Sequence, residues 1–332
     1  MPIQEFKNNG HQPLQAGDTL TLRRAKTESS PVSQAPVSLK SVAAVVVTRD
    51  RLALLQRCLH ALQEQSVALD AIYVIDVASK DGTKEFLQSC GSPFHVVRLE
   101  TNAGGAGGFH AGLEAIYRDG YEWAWCMDDD GYPAPDALER LLDVTHSNDS
   151  RWLNSLVVSI ENPDDLAFPF PVKGDYSIRK TEEVLRLGLC VEDSNPFNGT
   201  LIHRSVVENV GLPHPDFFIW GDEQEYKRRA AAAGVRILTI TNSIFHHPAS
   251  SSVPLPIVPL KSFWKYYYHV RNHGATATKE GHLRLSPSGA FRLGKEYGIW
   301  LLKSTASNAI KLLIITAAIL AAVFNNTRRY YP

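Results

Sequence analysis

Three adjacent aspartates, Asp128, Asp129 and Asp130, close the apolar run EWAWCM and are the residues of this chain best placed to do chemistry. Neighbouring carboxylates repel one another, and at a strand end Asp128 and Asp130 point the same way because side chains alternate. A divalent cation relieves that repulsion. Mg²⁺ and Mn²⁺ take hard oxygen ligands and commonly join protein carboxylates to substrate phosphates. A solvated acidic turn is the plain alternative, since charge runs usually lie at the surface. The position of the triplet favours the cation: it ends the fourth strand of an α/β series, and open α/β sheets bind ligands at the carboxyl ends of their strands. A second stretch, NAGGAGGFHAG from Asn102 to Gly112, stands between a strand and a helix. Glycines let a backbone approach a ligand closely, and the helix start that follows offers unpaired N–H groups to an anion. It differs from the dinucleotide fingerprint, which belongs after the first strand, whereas this stretch follows the third.

The elements that must position these residues are legible from periodicity. VAAVVVT, from Val42, is a continuous β-branched run, as expected of a parallel strand buried on both faces. LALLQRCLHALQEQ then places Leu52, Leu55, Cys58, Leu59 and Leu62 at helical spacing, and AIYVID makes a second buried strand. The alternation continues through a helix near 82–90, a strand at FHVVRL, a glycine-rich turn over 104–108, a helix over AGLEAIYRDG and a strand at YEWAWCM. This predicts an α/β fold, a mostly parallel sheet with helices on both faces. Past residue 150 the pattern is less regular, although SLVVSI and GTLIHR read as strands and EQEYKRRAAAAG as a helix ended by glycine.

Residues 1–40, rich in Gln, Pro, Ser and Thr, read as an N-terminal appendage, 41–252 as the catalytic domain, and 253–332 as a C-terminal helical region entered through the proline-rich VPLPIVPL. That last region holds the aromatic and basic KSFWKYYYHVRNHG and the apolar run Leu312 to Phe324. The run is shorter than the roughly 20 residues of a transmembrane span, and its aromatic and basic flanks suit an interfacial helix at a membrane surface. A formal net charge of -1 argues against nucleic acid as a partner. The scattered cysteines Cys58, Cys90, Cys126 and Cys190 suggest a reducing compartment, and MPIQEFKNNG lacks the character of a secretory signal. A cytoplasmic protein, peripheral at the inner face of the bacterial membrane, is the expectation.

Five segments in order, VVVTRDRLALLQRCLHALQEQ, AIYVIDVASKDGT, NAGGAGGFHAG, WAWCMDDDG and FFIWGDEQEYKRRAAAAG, resemble the large inverting glycosyltransferase family, family 2, that uses the Rossmann-like GT-A fold. The likeness covers about residues 42–275 and is greatest to galactofuranosyl- and rhamnosyltransferases of bacterial surface polysaccharides. Val77 departs from the pattern, which usually has asparagine after the aspartate. The resemblance implies roles residue by residue. Thr48 and Arg51 match positions near the nucleotide and its phosphates, Asp76 the carboxylate that receives the pyrimidine base, and Asn102 a further nucleotide contact, with Gly104, Gly105 and Gly108 bringing the backbone close. Asp128 and Asp130 match the metal-binding aspartates, with Asp128 and Asp129 also beside the donor sugar nucleotide. His246 matches a histidine that completes the metal site, and His247 is its rival. The base that removes the acceptor proton is expected in WGDE, at Glu223 or its neighbour Asp222, with Trp220 lining the acceptor sugar.

The implied activity is therefore metal-dependent, using Mn²⁺ or Mg²⁺. It moves a sugar from a nucleotide-diphosphate donor to a glycan or lipid-linked acceptor. UDP-galactofuranose is the first choice of donor and dTDP-rhamnose the second. A nucleotidyltransferase should carry a glycine-rich loop after its first strand, where this chain has TRDRLALL. A non-catalytic nucleotide-sugar-binding relative is a third reading, opposed by the intact acids at 128, 130 and 222–223.

Overall fold

The β-branched run Val42–Thr48 forms strand β1 with all seven residues buried, as a strand covered on both faces requires. The computed structural model describes residues 41–147, 149–172, 175–195, 197–249, 260–273, 275–277, 283–285, 313–314, 316–317 and 320. The appendage over 1–40, the proline-rich exit and most of the apolar C-terminal segment lie outside the described residues. After β1 come α1 (Leu52–Gln63), β2 (Ala71–Val77), α2 (Thr83–Ser89), β3 (Phe94–Leu99), α3 (Gly104–Arg118) and β4 (Trp123–Asp128). β1 pairs in parallel with β2 on one side and β4 on the other, and β2 with β3. The strand order thus reverses at β1, and at such a switch point a crevice opens beyond the carboxyl ends of the strands. Val47 lies in register with Asp128 there.

The second half supplies β5 (Tyr132–Pro133), α4 (Ala137–Ser147), β6 (Trp152–Ser159), β7 (Asp165–Val172), β8 (Asp175–Lys180), α5 (Thr181–Leu185), β9 (Cys190–Glu192), β10 (Asn198–His203), α6 (Arg204–Val210), α7 (Asp222–Ala232), β11 (Ile237–His247) and α8 (Leu260–His273). β10 runs antiparallel between β4 and β6, while β11 is parallel to β6. The sheet is therefore mixed, with its parallel strands in two groups separated by β10. Alternate residues of β1 face opposite layers. Ala44 and Val46 pack with Leu55, Leu59 and Leu141 of α1 and α4. Val45 and Val47 pack with Phe109 and Leu113 of α3, in the same cluster as Tyr226 of α7. The four cysteines are free thiols, Cys58 and Cys126 buried. Among the described residues no helix is long and apolar enough to cross a membrane.

The glycine-rich stretch is a helix from Gly104 onward, where a turn over 104–108 is expected from sequence. Its glycines serve packing as much as access. A Cβ on Gly108 would stand 2.4 Å from Val47 Cγ1, and one on Gly112 2.5 Å from Val45 Cγ1. α3 can lie this close to the sheet only without those side chains.

Candidate active site

A cavity of about 450 Å³ opens at the switch point and is lined by the ends of β1 and β4, the start of α3, the start of α7 and α8. Thr48, Arg51, Asn102, Gly104, Gly105, Asp128, Asp129, Asp130, Trp220, Asp222 and Glu223, all expected from sequence, line it together. Three expected residues do not.

The triplet is wired as follows. Asp129 is buried, and its carboxylate accepts from Thr48 Oγ1 at 2.6 Å and Arg51 Nη1 at 3.0 Å. The same Arg51 nitrogen donates to Asp130 Oδ2 at 2.7 Å. The other Asp130 oxygen meets His247 Nε2 at 3.1 Å. These partners hold the Asp130 carboxyl below the usual carboxylate range although burial opposes them, and Asp130 in turn raises the His247 imidazole against its own burial penalty. Asp128 has no such counter-charge in contact. Burial first, then the charges of Asp130 and Asp129, push its carboxyl up to about 8.

Of the expected residues outside the cavity, His246 is the clearest correction. It stacks on Tyr132 at 5.0 Å, and its neighbour His247 faces Asp130, because successive side chains of β11 point to opposite sides. Gly108 lies on the face of α3 turned to Val47 and serves helix packing instead of ligand approach. Asp76 is buried, accepts from Ser79 N at 2.9 Å and is ion-paired with Arg98, so its carboxylate is already engaged within the protein. Asn102 turns its Oδ1 to Gly104 N at 3.0 Å, which fixes the chain at the entry to α3. Gly104 has φ +70, and a Cβ there would stand 1.9 Å from the Phe218 carbonyl oxygen. Gly105 has open space before it.

Asp222 and Glu223 open α7, where the helix dipole favours acids. Asp222 is buried, and burial together with Glu223, its hydrogen-bond partner, raises its carboxyl well above the ordinary value. Both influences favour the protonated form of Asp222. Glu223 accepts from Gly221 N at 3.1 Å. Trp220 is partly exposed beside them, its ring edge-on to His269 at 6.0 Å.

Sequence reasoning gave His247 only as the rival of His246 and missed Trp264 and Lys265 as members of the site. The last two come from KSFWKYYYHVRNHG, which reads as part of a separate C-terminal region but folds as α8 against the cavity. Lys265 is half-buried and lies near enough to Arg51 and Asp130 to feel both charges; burial chiefly, then Arg51, lowers its pKa. The alternating aromatic and basic residues were the available signal.

As folded, no three His, Cys, Asp or Glu side chains among the described residues converge on a ready-made metal cage. The donor set nevertheless fits a hard cation. Asp128 and Asp130 offer oxygens, His247 an imidazole, and the raised Asp128 carboxyl marks a place where positive charge is short. Ions of this kind are often held by one or two carboxylates, with substrate phosphates completing the shell.

Against known proteins, the family model of glycosyl transferase family 2 matches residues 43–211. The chain is 30% identical over 267 residues to galactofuranosyltransferase GlfT1 of Mycolicibacterium smegmatis, covering 76% of this chain and 88% of that one. It is 30% identical over 272 residues to GlfT1 of Mycobacterium tuberculosis, covering 77% and 88%. Among solved structures, S. aureus TarS 1-349 superposes with a TM-score of 0.54 at 14% identity, over 85% of this chain and 81% of that one. The same protein in complex with UDP gives 0.53 at 13%, with the same coverage. At these identities the structural likeness bears on the fold.

Proposed function

The chain belongs to glycosyl transferase family 2, with the GT-A fold, and on that premise we propose that it transfers galactofuranose from UDP-galactofuranose to a glycan or lipid-linked acceptor with inversion at the anomeric carbon. One observation carries the reading: a carboxyl pair at the start of α7 and an aspartate triplet at the end of β4 line the same cavity. The triplet side suits a diphosphate and the α7 side a sugar hydroxyl. The names of the curated relatives support galactofuranose in particular.

In this mechanism the donor lies across the carboxyl ends of β1 and β4, with its diphosphate toward Arg51 and Lys265. Asp128, Asp130 and His247 would hold a Mn²⁺ or Mg²⁺ ion, which supplies positive charge to the departing diphosphate. Asp222, its carboxyl raised by burial and by Glu223, is assigned the donor's part in the hydrogen bond to Glu223. Glu223 takes the proton from the acceptor hydroxyl as that oxygen attacks the anomeric carbon. The glycosidic carbon–oxygen bond to the diphosphate breaks, and UDP leaves with the electron pair. Trp220 and Trp264 present aromatic surface to the acceptor. Arg51, which spans Asp129 and Asp130 in the structure, is placed to exchange those partners for phosphate oxygens. Work at the cytoplasmic face of a membrane is part of the proposal, since a lipid-linked acceptor would be found there.

The test is calorimetric titration with UDP in the presence and absence of Mn²⁺, followed by product analysis with UDP-galactofuranose. Metal-enhanced UDP binding and a product whose anomeric configuration is opposite to that of the donor are expected. In Asp130→Ala the Mn²⁺ enhancement should vanish. Equal UDP affinity with and without metal in the wild-type protein discards the metal assignment, and no transfer from UDP-galactofuranose discards the donor.

A further inference from the structure

The stretch from Phe218 to Gly221 is held in backbone conformations that side chains resist. Phe218 has φ +65, Trp220 +60 and Gly221 +95, and two of these three are not glycine. Conformations of that kind persist where the surroundings over-determine them. The surroundings here are two adjacent residues of α8. Arg271, 2% exposed, donates through Nη2 to the carbonyls of Asp216 and Phe217. Asn272, also 2% exposed, donates through Nδ2 to the carbonyls of Phe217 at 3.0 Å, Ile219 at 3.0 Å and Trp220 at 2.6 Å. Arg271 Nε donates to Asn272 Oδ1 at 2.9 Å, which turns the amide nitrogen toward the loop. From the other side, Ala106 N of α3 donates to the Phe218 carbonyl at 3.2 Å.

One peptide unit connects this clamp to the acids. The carbonyl of the Trp220–Gly221 peptide accepts from Asn272, and the N–H of the same peptide donates to Glu223 Oε2 at 3.1 Å. The plane of that peptide thus sets where the Glu223 carboxylate stands. We propose that Asn272, oriented by Arg271, is a positioning residue for sugar transfer, which fixes Glu223 through the Trp220–Gly221 peptide. The inference rests on the reading of Glu223 as the base. It makes α8 part of the reacting site's support, although the helix contributes no acid or base of its own to the step.

The test uses the full chain. Asn272→Asp keeps the side-chain shape but replaces the donor nitrogen by an oxygen that faces three carbonyls. Misplacing a reacting group by about 1 Å can cost on the order of 100-fold. A fall of kcat of that size is expected, with UDP affinity unchanged and faster amide hydrogen exchange confined to 216–223. Leu87→Ala, on the buried face of α2 and away from the loop, is the control for lost stability, and should leave kcat near the wild-type value at a similar drop in melting temperature. If Asn272→Asp does not fold, Arg271→Lys removes the guanidinium fork and should show the same pattern to a smaller degree. Wild-type kcat in a folded clamp variant, or an equal loss in Leu87→Ala, overturns the proposal. Should the wild-type chain transfer no sugar at all, the functional reading fails while the exchange comparison still decides whether α8 holds the loop.

Discussion

Replacing Glu223 by glutamine should nearly abolish sugar transfer, whereas replacing Asp222 by asparagine should slow it far less. The asymmetry comes from the environment of the pair. Asp222 is buried, and burial and then Glu223 push its carboxyl above the ordinary range, which favours the protonated form over the role of base. An asparagine at 222 still presents a donor to Glu223, and a perturbation below about 1.4 kcal/mol leaves the rate within about tenfold. A glutamine at 223 cannot take the acceptor proton. Loss of a general base costs roughly 10²- to 10⁴-fold, or about 3–5 kcal/mol of barrier. The assay is the initial rate of transfer from UDP-galactofuranose at saturating donor, with UDP affinity measured separately by calorimetry. Both variants should bind UDP as the wild type does, so that the loss appears in kcat. An Asp222→Asn enzyme as slow as Glu223→Gln, or an active Glu223→Gln enzyme, would refute the assignment of the proton to Asp222 and of the base to Glu223.

Asp222→Asn should also stabilise the protein in a pH-dependent way. The folded pKa of Asp222 is raised above its ordinary 3.8, so its contribution to stability is intact below that pH and is lost as pH rises through the folded value; the melting-temperature gain of the variant over wild type should widen on going from pH 4 to alkaline pH, and a constant gap would count against it. Gly108→Ala should destabilise by about 1–3 kcal/mol in denaturant unfolding, because its Cβ would meet Val47 Cγ1 at 2.4 Å in a packed core; a neutral outcome would mean that α3 can lift from the sheet without cost. Lys265→Ala should weaken UDP binding about tenfold, the order of a charge-assisted contact, while leaving uridine binding unchanged. Equal loss for both ligands would move Lys265 away from the diphosphate.

The part of the chain that was legible is the part built from local repeats. From Val42 to Asp128 the β-branched runs and helical spacings mark the strands and helices, apart from the turn expected over 104–108 that is helix, and the triplet falls at a strand end where ligands gather. Three features escaped, each for a tertiary reason. β10 enters antiparallel between β4 and β6, and strand periodicity carries no information on direction. The choice between His246 and His247 depends on the register of β11 against β6, which shifts between Ile240 and Ile244. Counting alternate residues from RILTIT therefore does not say which side faces Asp130. α8 follows a proline-rich stretch that reads as a boundary, and only the folded chain brings Arg271 and Asn272 onto the carbonyls of Phe217 and Trp220.

The insertion of β10 between β4 and β6 also shapes how the molecule must assemble. The unit from β1 to β4 closes by crossover connections within some ninety residues of chain, while the pairing of Thr200 with Cys126 joins positions far apart in sequence. Loop closure over such distances is entropically costly and slow. Arg51 and the aspartate triplet accordingly belong to a unit whose contacts can form early, whereas His247 of β11, Lys265 of α8 and the acid side with its clamp are in place only when distant segments arrive. A nascent or partly opened chain would then present the aspartate triplet and Arg51 before it possesses either a base or the groups of β11 and α8 that complete the site.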